Sequence, residues 1–467
     1  MSFELFEYKI EDLGKIITGK TPPSKISDAF SAQGIPFVTP KDMDGRRLID
    51  KTERYLSSLG IEAVRNCLLP QNSIAVSCIG SDMGKTVLLP GESITNQQIN
   101  AIVVDSERFD YKYVYYYLST LQDAFKAIAG GSATPILNKG HFSQFKVSLP
   151  VKLVQNKIAL ILDSLDTKIE VNTEINQTLE QMAQALFKSW FVDFEPVKNK
   201  IAVLEAGGSQ EEATLAAMTA ISGKDADALA VFEREHPEQY AQLKATAELF
   251  PAAMQDSELG AIPKGWGVAS ISEMGKVTCG KTPSKKEPEY YGSDVPFIKI
   301  PDMHGQLFVL KTNEYLSEAG SKSQLKKLVP ANSICVSCIA TIGVVSITNE
   351  PSHTNQQINS VTPHKSSLLY YLYFCMLGLK DHLHILGSAG SATLNVNTST
   401  FSGIKIAQPD AKVLELFHAK CTHLFNEIKS LSVQTESLTQ LRDTLLPKLL
   451  SGEITLPEAE QIISEEA

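Results

Sequence analysis

The sequence has little of what most functional classes need. No stretch approaches the roughly 18 consecutive apolar residues of a membrane span, and the opening MSFELFEYKIEDLG lacks the basic-then-apolar layout of a signal peptide. Seven scattered cysteines, an odd number, do not make a disulfide framework. Together these features lead us to expect a cytoplasmic protein with free thiols. Cys335 and Cys338 form one CxxC, but no second pair exists to close a zinc site, and the nine histidines show no HExxH spacing. A buried strand is the expected reading of that CxxC. Positive charge is also short. The 467 residues carry 43 Lys and Arg against 53 Asp and Glu, a net −10. A polyanion binder needs Lys and Arg against phosphate, so the sum argues against one. Its distribution is more permissive: residues 1–150 net zero, 261–410 net +3, and the acidity sits in 151–260 and 411–467.

What is present is a repeat. GKIITGKTPPS at 14–24 recurs as GKVTCGKTPS at 275–284, and IPFVTPKDMDG at 35–45 as VPFIKIPDMHG at 295–305. LPQNSIAVSCIG at 69–80 matches VPANSICVSCIA at 329–340. TNQQIN is identical at 95–100 and 354–359, and GSAT at 131–134 and 390–393. The offset drifts only from 261 to 259, so one ancestral unit has been duplicated. Within each copy, short apolar runs such as Ser73–Ile79 and Ser333–Ile339 alternate with Gly, Pro and Asn turn signals, the pattern of a β-rich domain. One helix is expected near Tyr111–Ala129 and its counterpart near Leu368–Leu386.

After Pro150 and Pro409 the period changes to that of a helix. In the first copy Ile158, Leu162, Leu165, Ile169, Asn172, Asn176, Leu179, Ala183, Leu186 and Trp190 follow a 4-3 spacing. In the second, Phe417, Cys421, Leu424, Ile428, Leu431, Thr435, Leu438, Arg442, Leu445 and Leu449 do the same. These are heptad seams, and two of them in one duplicated chain are expected to pair with each other. The polar positions Asn172, Asn176 and Thr435 are expected to set register at some expense of stability. Residues 196–263 have no counterpart and read as an acidic helical connector. The expected fold class is therefore α+β: β-rich domains at 1–150 and 264–409, separated by two long antiparallel coiled-coil helices at 151–195 and 410–452 about a pseudo-two-fold axis, with an acidic tail at 453–467.

Two motifs invite a catalytic reading. Gly14–Thr21 and Gly275–Thr282 match the P-loop pattern, but a P-loop needs a helix to start at once so that its amides cradle phosphates. Pro22-Pro23 and Pro283 follow instead, so a tight turn offering a Lys and a hydroxyl is expected. Neither an [Asn/Asp/Ser]-Pro-Pro-aromatic methyltransferase loop nor a glycine-rich cofactor loop is found, and Pro301-Asp302 lacks a suitably spaced Glu-x-Lys. We expect no catalytic centre, cofactor site or metal site on this chain.

The TPPS and TPS turns, the SCIG and TNQQIN blocks, GSAT, FKSWFVDFEPV at 187–197, the connector, and LRDTLLPKLLSGEI at 441–454 together resemble the specificity subunits of type I restriction-modification systems across essentially the whole chain. The copies part after GSAT, where PILNKGH stands against LNVNTST. The resemblance implies target-recognition domains that read double-stranded DNA. It also implies two methyltransferase subunits bringing S-adenosylmethionine, and restriction/translocase subunits bringing ATP and Mg²⁺.

Geometry adds a bipartite target. Ile158 to Trp190 is 32 residues, roughly 48 Å at about 1.5 Å per residue, or on the order of 14 base pairs at about 3.4 Å each. Candidate DNA contacts are Lys20, Thr21, Lys25, Lys41, Arg46 and Arg47 in the first domain, and Lys281, Thr282, Lys285, Lys286 and Lys299 in the second. The NQQIN blocks have amides to offer, but identical readers would read identical bases, so scaffold work is expected of them. The rival readings are a coiled-coil scaffold that reads no DNA, and a nucleotidase built on the two Gly-Lys-Thr turns.

Overall fold

A computed structural model describes residues 3–129, 136–388 and 394–466; both GSAT segments lie outside the described residues. The chain forms two compact units, Met1–Asn172 with Gln434–Ala467, and Thr173–Val433.

In the first unit a four-stranded antiparallel sheet runs in the order Gly14–Thr18, Ile99–Val104, Ser73–Ser77, Thr86–Leu89. A second sheet joins Phe30–Ser31, Tyr55–Leu56, Ile35–Val38 and Ile94–Thr95, the last pair parallel. The strand Ser73–Ser77 is buried on both faces, which explains its near-continuous apolar run. Ile74 and Val76 enter the large core under the helices, while Ala75 enters a smaller core with Val38, Met43 and Leu89.

The second unit repeats this plan with Gly275–Cys279, Ile358–Pro363, Ile334–Ser337 and Val345–Thr348, and adds Phe308–Val309 at the edge. Cys335 lies in the strand Ile334–Ser337 and Cys338 just beyond its end; both are buried, and burial pushes their thiols up to about 11. The expected helix near residue 111 is two, Tyr111–Ser119 and Gln122–Ile128, and so is its counterpart, Leu369–Gly378 and Lys380–Ser388.

The two long helices are Lys152–Phe187 and Ala411–Ser451, 36 and 41 residues. Each contributes one part to each unit. In the first unit Ile158, Leu162 and Leu165 share a core with Leu438, Leu441, Leu445 and Leu449, and Ile169 packs at its edge. Asp166 meets Arg442 at 2.7 Å and the buried Asn172 donates to Gln434 at 2.8 Å, so partners run in opposite directions. In the second unit Asn176 donates to Ser432 at 3.1 Å, and Phe187 packs tilted against Phe417 at 6.2 Å; the segments are antiparallel there as well. Ile428 is buried, Leu186 and Leu424 pack on the same core, and Leu179 and Leu431 are half-buried. Of the polar residues expected to set register, Asn172 and Asn176 bond to the facing segment, whereas the Thr435 hydroxyl is buried without a hydrogen-bond partner among the described residues.

Two assignments need correction. Only the first part of the connector is helical, with helices Glu195–Glu205, Gln210–Ser222, Ala226–Glu235 and Pro237–Glu248. Met254–Ser257 and Gly260–Pro263 form a β-hairpin, turned at Gly260 with φ +91°. The acidic tail is an amphipathic helix, Leu456–Glu466, whose Ala459 is fully buried in the first unit's core with Leu456, Ile462 and Ile463 against it. Glu458, Glu460 and Glu465 are exposed, and composition alone hid that pattern.

Candidate nucleic-acid interface

The repeated blocks converge on one patch in each unit. The strand Gly14–Thr18 pairs with Ile99–Val104, bringing the Gly-Lys-Thr turn against the TNQQ segment. The Lys20 N–H donates to the Thr95 carbonyl at 2.9 Å, and the Thr21 hydroxyl to Gln97 Oε1 at 2.8 Å. In the second unit Lys281 N–H donates to the Thr354 carbonyl at 2.9 Å, and Thr282 to Gln356 Oε1 at 2.6 Å. Gly19 and Gly280 permit the approach: a Cβ on either would lie 2.2 Å from the carbonyl oxygen of Asn96 or Asn355. The motif is thus strand and tight turn, with no helix following, and the nucleotide-cradling geometry is absent from these segments.

Behind the turn, Asn96 is buried and donates to Gln98 Oε1 at 3.1 Å, while Asn100 bridges the Thr18 hydroxyl and the Cys78 sulfur. Asn355 and Gln357 repeat the first of these contacts at 3.0 Å. Scaffold work, as expected, is what these amides do. Gln97 and Gln356 differ: both side chains are exposed beside an exposed lysine. Sequence reasoning placed them with the scaffold because the block was read as one piece.

Of the other candidates, Lys25, Lys41, Lys285 and Lys286 are exposed on nearby turns. Arg46 is exposed but bonded to Asp44 at 3.0 Å, with Asp50 at 3.4 Å. Lys299 pairs with Glu314 and lies 5.5 Å above the Phe297 ring.

Arg47 does not belong with them. Its guanidinium is 11 % exposed and bonds Asp163 at 2.6 Å and Glu170 at 2.9 Å, with Tyr116 at 3.2 Å and Asp166 at 3.9 Å. Burial works against the charge, but the bonds to Glu170 and Asp163 outweigh it and hold the pKa above its ordinary value. The residue fastens the recognition domain to the helix and is withdrawn from the candidate surface. Asp302 is likewise structural: it is buried, and it accepts from the backbone N–H groups of Lys299 and Asn313 at 2.8 and 2.9 Å. Among the described residues no cluster of His, Cys, Asp or Glu could hold a metal, and no helix is long and apolar enough to cross a membrane.

A duplicated β-rich domain, each copy carrying the same turn-and-amide patch and sharing paired long helices, defines a class. The family model for the type I restriction modification DNA specificity domain matches residues 4–181 and again 263–430. The chain belongs to that family: it is a DNA specificity subunit of the type I restriction-modification class. It is 49 % identical over 319 residues to the HindI specificity subunit of Haemophilus influenzae, covering 67 % of this chain and 70 % of that one. It is 25 % identical over 456 residues to the MjaIX specificity subunit of Methanocaldococcus jannaschii, covering 96 % and 93 %. The fold matches the S subunit from M. genitalium with a TM-score of 0.54 at 14 % identity, over 96 % of both chains.

Proposed function

We propose that the chain reads a bipartite, asymmetric DNA target, one short sequence for each recognition domain, with an unread spacer between them. The observation that carries this is the duplication itself. One scaffold with one shared patch is present twice, while the remaining surfaces of the copies differ in sequence. A target read by two related but non-identical domains is correspondingly split and non-palindromic. The antiparallel segments found within each unit support a helical spacer of set length. Phosphate contacts through Lys20, Lys25, Lys41, Lys281, Lys285 and Lys286 set register, and side chains in a groove give specificity.

The chemistry belongs to partners. Two methyltransferase subunits supply S-adenosylmethionine, restriction/translocase subunits supply ATP hydrolysis and Mg²⁺, and this chain performs no catalytic step. Its net −10 fits shared labour, in which the partners add phosphate contacts. Isolated, the chain is expected to bind duplex DNA weakly in a gel-shift titration, with tight binding only on addition of the methyltransferase subunits. The test of function is methylation-sensitive sequencing of the host genome with and without this chain. Methylation should vanish from one gapped, asymmetric motif. Methylation unchanged everywhere, or lost from an uninterrupted motif, refutes the reading.

A further inference from the structure

We propose that Gln97 and Gln356 are a matched pair of sequence-independent contacts to the DNA phosphodiester backbone, one in each recognition domain. The inference rests on the DNA-reading function proposed above and gives these two amides a part in it.

Each amide has only part of its hydrogen-bonding capacity left to offer a ligand. A glutamine that reads adenine uses both ends of its amide, accepting from N6 and donating to N7. Here the Thr21 and Thr282 hydroxyls already donate to the carbonyl oxygens, at 2.8 and 2.6 Å. The NH₂ of each exposed glutamine, a pair of donors, is bonded to no described residue. The exposed neighbour on the same turn, Lys20 or Lys281, is also donor-only. An outward surface made of donors suits a ligand made of acceptors, and a phosphodiester presents only acceptor oxygens.

Identity between the copies points the same way. Domains that read different bases share only what both half-sites share, and the backbone is that common feature. The turn is also built to hold its geometry. A Cβ on Gly19 or Gly280 would collide with backbone carbonyls, and the lysine N–H is tied to the neighbouring strand at 2.9 Å in both copies. A surface glutamine with no binding role would not need such support in duplicate.

The test uses the chain assembled with its methyltransferase partners, and fluorescence anisotropy on two duplexes: the gapped target, and the same duplex with one half-site scrambled. Gln97→Ala and Gln356→Ala should each weaken binding to both duplexes about tenfold, the scale of a hydrogen bond to a charged acceptor, leaving their ratio unchanged. Gln97→Glu and Gln356→Glu keep an acceptor for the threonine hydroxyl, so scaffolding survives, yet they aim a carboxylate at phosphate; they should lose more than the alanine variants. Lys20→Gln should flatten the dependence of log affinity on log salt by about one unit, whereas Gln97→Ala should not change it.

Three results overturn the proposal. The Gln→Glu variants could bind as wild type, which would make the amides scaffold. Either alanine variant could alter base preference in its own half-site, which would make them readers. Affinity of the assembled complex could stay unchanged while assembly with the partners weakens, which would make the patch a protein contact. If the unmutated assembly prefers no gapped target, the function proposed above fails instead; uniform losses on any duplex would still support the backbone contact.

Discussion

The two units share strands, turns and patch, yet they fasten their recognition domain to the long helices by opposite chemistry. In the first, Arg47, Lys112 and Tyr116 meet Asp163, Asp166 and Glu170, with Arg442 closing on Asp166. At the repeat offset of 259 those three acids become Thr422, Phe425 and Lys429, and at the offset of 260 that holds around the DMDG turn Arg47 becomes Leu307. The second unit fills the same junction with rings: Phe425 packs against Tyr370 at 4.2 Å, Tyr373 at 5.7 Å and Phe308 at 6.2 Å. A groove of about 430 Å³ lined by Phe308, Tyr370, His418, Asn426 and Lys429 remains beside them. The lesson is that the junction's position is required while its chemistry is free. A buried ion network and an aromatic cluster both suffice if every member is present.

That difference can be broken one side at a time. Arg47→Leu installs the second unit's residue in the first, removes the partner of Glu170 and takes one of the cations from Asp163 and Asp166; it should destabilise the first unit by about 3–5 kcal/mol. Because Trp190 and Trp266, the only tryptophans, both lie in the second unit, the denaturant transition followed by tryptophan fluorescence should stay put while far-UV circular dichroism gains an earlier step. A single shifted transition in both signals would show that the junction is not local.

Phe425→Ala is the reciprocal variant. Emptying a fully buried ring site should cost about 3–5 kcal/mol, and here the tryptophan transition should move while the first unit's step does not.

Acid should separate the units without mutation. His353 is buried, bonded to Ser321 at 2.9 Å, and burial holds its pKa down to about 4. Its first-unit counterpart is Ile94. The folded value lies below the ordinary 6.5, so the neutral form is favoured by folding. This stabilisation is complete above pH 6.5 and is lost as pH falls towards 4, by about 3 kcal/mol in all. Asp163 behaves differently: burial raises its pKa, but bonds to Lys112 and Arg47 outweigh that and lower it below 3.8. The Asp163 bonds to Lys112 and Arg47 therefore persist to lower pH than an ordinary aspartate would allow. Tryptophan-monitored stability should decline between pH 6.5 and 4 while the first unit holds, and His353→Ile should flatten that decline. An equal decline in His353→Ile would assign the sensitivity elsewhere.

The smallest effect is expected at the seam. Asn172 is buried, with its carbonyl oxygen unpartnered. Asn172→Leu should raise first-unit stability by about 1 kcal/mol while loosening register, seen as a later denaturant midpoint.

Much of this was legible in the sequence because duplication prints the same signal twice. The turn blocks, the seams and the helix starts after Pro150 and Pro409 each had a second copy as a check. Arg47 was misplaced because a basic residue after a turn looks alike whether it reaches solvent or a carboxylate 116 residues later. Nothing in local pattern reveals three acids on a distant helix face. The exposure of Gln97 was hidden for the converse reason: TNQQIN is buried at Thr95 and Asn96, exposed at Gln97, half-buried at Gln98 and buried again at Ile99 and Asn100, and one exposed amide is a property of the turn between two strands. The tail helix and the hairpin at 254–263 have no second copy, and there composition was a poor guide.

Under the proposed function, paired helices set the gap between the two half-sites of the target. Inserting one heptad into each long helix lengthens the spacer by about 10 Å, or roughly 3 base pairs. Sequencing the methylated motif of cells carrying that variant should show both half-sites unchanged and the gap widened by about that amount. An unchanged gap, with methylation retained, would contradict the account.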